Sequence, residues 1–231
     1  MIDFLEGATL LVDKPIGWTS FDVVKKIRGV LRKITGQKRI KVGHAGTLDP
    51  LASGLLIVCT GKKTKTIDEI QQQRKEYTGT IYLGARTPSF DLETIPENFK
   101  SIDHLTNDDL ESTRQTFLGK IAQKPPLYSA IKIDGKRAYH LAREGIEAVI
   151  KAKEVELYDF EFLATRLPEI DFRIECSKGT YIRSIANDFG DKLAVGAYLK
   201  SLRRTKIGDF NVANSQDIQS IEEYLMREAQ V

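Results

Sequence analysis

Apolar residues recur in this chain at two periods, and the segments that carry them do not alternate regularly. Period-2 runs fall at residues 75–83, 153–162 and 170–177, each reading as a strand with one face buried. In the first of them Tyr77, Gly79, Ile81 and Leu83 share a face. Helical spacing follows Thr19 and Ser20, where Phe21, Val23, Val24, Ile27, Val30 and Leu31 make the expected core stripe behind a capping signal. A second helix is opened by Thr180, with Ile182, Ile185, Ala186, Phe189 and Leu193 facing inward. Shorter helices are expected at 107–117, at 138–144 before Gly145, and in the last dozen residues. Strands are expected at 8–12, 55–60 and 207–212, and an extended run at 120–133 around Pro125-Pro126. The two runs flanking Leu167-Pro168 read as an antiparallel pair. Strands and helices mixed in this way predict an α+β domain on a mixed, mainly antiparallel central sheet flanked by helices.

With 231 residues the chain has room for one domain with a sizeable core, and no repeat, low-complexity tract or linker divides it. The net charge of +3 excludes little, but its distribution is informative. Between Asp22 and Asp68 stand eleven Lys or Arg residues and one carboxylate, Asp49, set in the run GHAGTLDP at residues 43–50. Such a field attracts a polyanion and favours a charged Asp49, which could then act as a nucleophile on what the bases gather. Nucleic acid is the expected polyanion. Residues 91–111 carry seven carboxylates against one Lys, so one face is expected to be basic and another acidic.

Other chemistries find no support. Cys59 and Cys176 form no C-x-x-C pair and read as buried free thiols, and three scattered histidines make no zinc pattern. Gly54 and Gly61 are too far apart for a phosphate loop, and no serine or threonine directly follows Lys62. No metal or other cofactor is expected. No leader peptide and no membrane-length apolar run is visible, so a cytoplasmic protein is expected.

Each candidate residue also has an ordinary reading. An Asp-Pro pair among glycines is most often a turn, His44 a hydrogen-bonded loop histidine, Tyr77 a packed strand residue and Arg183 a solvated cation. Their combination is more specific. LVDKP at residues 11–15 with Gly17, GHAGTLDPLASGLL at 43–56, KEYTGTIYLGARTPSFD at 75–91, PPLYSAIKIDGKRAYHLAREG at 125–145, and CSKGTYIRSIANDFG at 176–190 followed by LRRTKIGDF at 202–210 occur in that order. In these segments, which extend over almost the whole chain, the sequence resembles the TruB family of tRNA pseudouridine synthases.

The resemblance implies the pseudouridine synthase fold with a catalytic cleft, a single catalytic domain over residues 1–231, and no C-terminal PUA domain. It implies isomerisation of uridine 55 in the T-arm of tRNA, by a monomer needing no obligate protein partner. The target base is flipped from its stack at a cost of a few kcal/mol. Asp49 matches the catalytic aspartate, attacking ribose or base or stabilising a cationic sugar. Arg183 matches its ion-pair partner, because an adjacent guanidinium keeps a carboxylate charged in a dry pocket. Tyr77 matches the ring that stacks on uracil, and its hydroxyl is available for a proton transfer. Tyr181 and Leu202 match residues lining the uracil pocket, and His44 one that splays the RNA loop. Lys14, Lys132, Arg143, Arg203 and Arg204 are expected phosphate contacts. The chain departs from the family pattern at Thr87-Pro88-Ser89, where Thr-Asp-Thr is usual, and at Ala45, where threonine is usual. Two alternatives remain: a relative of the guide-RNA-dependent branch, and a non-catalytic RNA chaperone.

Overall fold

The structure is a computed structural model describing residues 4, 6–129, 131–133, 135–144 and 150–228. In chain order its first elements are β1 (Thr9–Lys14), α1 (Ser20–Thr35), β2 (Val42–His44), β3 (Ala52–Thr60), α2 (Ile67–Gln72) and β4 (Lys75–Leu83). Then come α3 (Asn107–Gln115), β5 (Gly119–Gln123), β6 (Lys132–Ile133), β7 (Lys136–Arg137), α4 (Ala138–Arg143), β8 (Lys153–Arg166) and β9 (Glu169–Cys176). The last are α5 (Ile182–Lys192), β10 (Ala197–Ile207), β11 (Phe210–Asn211) and α6 (Ile218–Glu228). They divide into two compact units, one comprising Met1–Tyr77 with Leu202–Val231 and the other Thr78–Ser201.

The first unit is organised around β3. β1 runs antiparallel to it, from Thr9 opposite Cys59 to Lys14 opposite Gly54, and β2 pairs antiparallel at its far end. β10 joins β3 in parallel, placing Leu202 opposite Ala52 and Arg204 opposite Gly54. Nearly every residue of β3 is buried, as expected for a strand covered on both faces. Helix α1 begins with a capping box in which Thr19 and Asp22 satisfy each other's backbone N–H groups, worth about 1 kcal/mol. It ends at Gly36, whose φ of 68° suits a residue without Cβ. Its stripe of Val23, Val24, Ile27, Val30 and Leu31 packs with Val12, Leu56 and Val58 of the sheet and with Ile221 and Leu225 of α6. Burying each such side chain contributes about 1.5–3 kcal/mol. Lys26 and Glu222 add an ion pair at 2.6 Å on the rim. Phe21 departs from the expected stripe: it is 59% exposed, because the second residue of α1 points away from the buried face.

In the second unit the strand order is β4-β9-β8-β5. β8 and β9 form the expected antiparallel pair across Leu167-Pro168, and β5 pairs antiparallel with β8. Phe189 of α5 meets Phe117, Phe160 and Phe162 with ring centroids 5.9–6.2 Å apart, edge to face with Phe160 and Phe162 and tilted against Phe117. The expected inward residues of α5 are all buried, although the helix is capped by Tyr181, one residue after Thr180.

Two expectations are corrected. The strand expected at 207–212 begins at Ala197 instead, and Ile207 turns back through β11. Its lysines and arginines hid the strand, since one of its buried positions, Arg204, is itself charged. β3 also starts three residues earlier than expected, within the glycine-rich run. Both thiols are buried, as expected. Fold class is α+β, mixed and mainly antiparallel.

Candidate active site

The segment 43–52 leaves β2 at His44, turns, and re-enters the first unit's sheet at Ala52. Gly46 takes a φ of 99°, open to glycine and strained for other residues. Ala45 is fully buried, and its N–H donates to the Ile57 carbonyl at 2.8 Å. The main chain around Asp49 is tied on both sides. Leu48 accepts from and donates to the Ser20 hydroxyl, at 3.1 and 2.8 Å. The Asp49 carbonyl accepts from Ala52 N–H at 3.1 Å, and the Pro50 carbonyl from Gly17 N–H at 2.8 Å. Asp49 itself is half-buried.

Two cations complete this arrangement from within. Lys14 is fully buried, and its ammonium donates to the carbonyls of Trp18 at 2.7 Å and Pro15 at 3.0 Å. Burial lowers its pKa to about 8, against the opposing pull of the Asp49 charge. Arg204 is 1% exposed and donates to the carbonyls of Leu55 at 2.8 Å and Gly46 at 3.0 Å, with Thr47 at 3.4 Å. Lys14 and Arg204, both expected at phosphates, are buried with their donors directed at backbone oxygens. Arg203, 40% exposed, instead forms a two-pronged pair with the Asp13 carboxylate at 2.6 and 3.0 Å. His44 is half-buried, and burial followed by the Arg204 charge lowers its pKa, keeping the ring neutral at pH 7. Tyr77 is buried in β4, and Leu202 is half-buried opposite Ala52.

Beside α1 an open groove of about 530 Å³ is lined by Trp18, Lys25, Lys26 and Lys33, with Asp22 and Glu222. The expected basic face of α1 is thus partly offset by two carboxylates, and Arg28 is committed to the Val42 carbonyl at 2.8 Å.

Tyr181 and Arg183 belong to the second unit. The Gln123 side-chain amide brackets Tyr181, accepting from its N–H at 2.8 Å and donating to its carbonyl at 3.1 Å. Arg183 is 4% exposed; its guanidinium donates to the Ser89 carbonyl at 3.2 Å and stands 3.6 Å from the Asp91 carboxylate. Ser89, within the departure at residues 87–89, is itself fully buried and donates to the Asp91 carbonyl. The altered segment is therefore part of what orients Arg183. Lys132 lies in β6 and Arg143 at the end of α4, and their side chains lie outside the described part of the structure.

Sequence reasoning gave no site role to Ser20, Ser89 or Gln123. Ser20 carried a signal as a second hydroxyl beside a residue that already caps the helix, and Ser89 as part of the departure at residues 87–89. Among the described residues no cluster of three His, Cys, Asp or Glu could hold a metal ion, and no helix is long and apolar enough to cross a membrane.

Residues 32–182 match the family model for the TruB family pseudouridylate synthase N-terminal domain, and residues 183–230 match that for the tRNA pseudouridylate synthase B C-terminal domain. A curated protein of Flavobacterium johnsoniae named tRNA pseudouridine synthase B is 52% identical over 224 residues, covering 96% of this chain and 98% of its own. A protein of the same name from Phocaeicola vulgatus is 50% identical, covering 97% and 95%. Among solved structures, a chain of a Cbf5-Nop10-Gar1 complex is similar with a TM-score of 0.72 at 28% identity. It matches over 99% of this chain, which spans 57% of that one.

Proposed function

Given that the chain belongs to the TruB family of pseudouridylate synthases and is a tRNA pseudouridine synthase, we propose that its target is uridine 55 in the T-arm. The reaction breaks the bond between uracil N1 and ribose C1′, turns the base, and joins C5 to C1′. The C5 proton is released and N1 ends protonated. Asp49 supplies the anion that carries the sugar or base through this exchange. The observation that supports this role most directly is the loop itself: the peptides on both sides of Asp49 are held by hydrogen bonds, so its carboxylate is presented without reorganisation.

The family likeness assigns the remaining roles. Arg183 stabilises the Asp49 charge and is supported by its burial, which makes it a fixed cation. Tyr77 stacks on the flipped uracil, an interaction worth about 1–3 kcal/mol and comparable with the cost of unstacking. Tyr181 and Leu202 line the uracil pocket, and His44, neutral at pH 7, helps splay the RNA loop and fill the space the base vacates. Arg203, Lys132 and Arg143 are the remaining candidates for phosphate contacts.

We propose further that residues 1–231 act as one catalytic domain and suffice as a monomer. The test is tritium release from a T-arm stem-loop labelled at uracil C5, with the purified chain and no added protein. Release with wild type, none with Asp49→Asn, and RNA binding retained by that variant are the expected results. Release that requires added guide RNA or partner proteins contradicts the reading. Equal rescue of a deletion strain by Asp49→Asn favours a chaperone.

A further inference from the structure

We propose that Ser20 is a positioning residue for Asp49, and this rests on the reading of Asp49 as the nucleophile. The Ser20 hydroxyl accepts the Leu48 N–H at 2.8 Å and donates to the Leu48 carbonyl at 3.1 Å. One side chain thereby fixes two successive peptide planes, and the second of them contains the Asp49 nitrogen. Both residues are buried, Ser20 at 2% and Leu48 at 4% exposure, so water does not compete for these bonds.

A serine at a helix start is ordinarily a cap. Here Thr19 fills that role completely: its hydroxyl takes the Asp22 N–H, and Asp22 takes the Thr19 N–H. The Ser20 hydroxyl is therefore not needed by α1, and both its hydrogen bonds go to the loop. Two other ties on this stretch, Ala52 to Asp49 and Gly17 to Pro50, are made by backbone N–H groups, and a third, from the Arg204 guanidinium to the Thr47 carbonyl, is long at 3.4 Å. Unlike the two backbone ties, the Ser20 clamp can be removed without altering the main chain. With Leu48 released, the peptide entering Asp49 is free to rotate, and a carboxylate misplaced by about 1 Å loses on the order of 100-fold in rate.

The experiment measures single-turnover tritium release from the labelled T-arm stem-loop, RNA affinity, and exchange of the Leu48 amide proton by NMR. For Ser20→Ala we expect a rate at saturating enzyme about 10- to 100-fold below wild type, an RNA Kd within about 2-fold, and faster Leu48 exchange. Ser20→Thr, which keeps a hydroxyl, restores most of the rate. A wild-type rate in Ser20→Ala, or a loss confined to Kd, overturns the proposal. Wild-type protein that releases no tritium overturns the uridine-55 reading instead; Leu48 exchange then decides for Ser20, and unchanged protection in Ser20→Ala overturns it.

Discussion

The Arg204 guanidinium holds the Gly46 carbonyl at 3.0 Å from a position that solvent barely reaches. The same side chain reaches Leu55, so it joins the start of the Asp49 loop to the strand that follows it. Replacing Arg204 by Met leaves these carbonyls without their donor. Each hydrogen bond to a charged group is worth about 1.5–3 kcal/mol. A loss of about 3 kcal/mol is expected, read from the denaturant midpoint. The salt dependence of RNA binding, measured on the folded fraction, should stay as in wild type. Arg203→Ala should lower that slope by about one phosphate equivalent. The reverse assignment of the two effects would refute the structural role given to Arg204.

Gly54 faces a tighter constraint. Its φ is 102°, and a Cβ built there would lie 2.3 Å from the Arg204 carbonyl oxygen. Neither backbone can retreat without breaking the pairing of β3 with β10. Gly54→Ala is expected to cost more than 3 kcal/mol or to yield insoluble protein, whereas Gly29→Ala, where a Cβ meets nothing within 4 Å, should be neutral or slightly stabilising. Thermal unfolding of the two variants side by side checks this.

Lys14 gives the stability a pH signature. Its pKa falls from 10.5 to about 8 on folding, chiefly through burial. Below pH 8 it is charged in both states and the cost of burying that charge is present in full. Between pH 8 and 10.5 the unfolded chain holds the proton more tightly than the native one, so this residue's contribution to stability rises with pH. The stability difference between wild type and Lys14→Met should therefore shift in favour of wild type across that interval. A flat or opposite trend in urea titrations would contradict it.

His44 shifts in the same direction for the same first reason, burial, with the Arg204 cation adding to it. The histidine ring should titrate below its ordinary 6.5 when followed by NMR. Stability linked to the neutral ring is complete above that value and declines as pH falls below it. A midpoint at or above 6.5 would show that the ring is more solvated, or closer to an anion, than the structure has it.

How much of this was legible beforehand varied with the kind of interaction. The stripe of α1 and the inward face of α5 follow from spacing alone, because core burial repeats with the helical period. Phe21 misled because apolar identity was taken for burial two positions after the cap. The Asp49 loop announced itself through its glycines, its proline and its place as a lone carboxylate. Lys14 and Arg204 did not, since a buried cation and a solvated one look alike in sequence. Their partners are backbone carbonyls, which every residue has and which leave no mark in the order of side chains. β10 was hidden by the same charges. The clamp of Ser20 on Leu48 spans 28 residues and is visible only once the loop has a shape.

The first unit is made from two pieces of chain with about 120 residues of the second between them. At about 5–20 residues per second, a ribosome takes on the order of ten seconds to pass from one piece to the other. Through that interval Leu55 and Gly46 have been synthesised and Arg204 has not. The carbonyls of Gly46 and Leu55 thus emerge well before the donor that joins them, and the loop is clamped only when β10 is made.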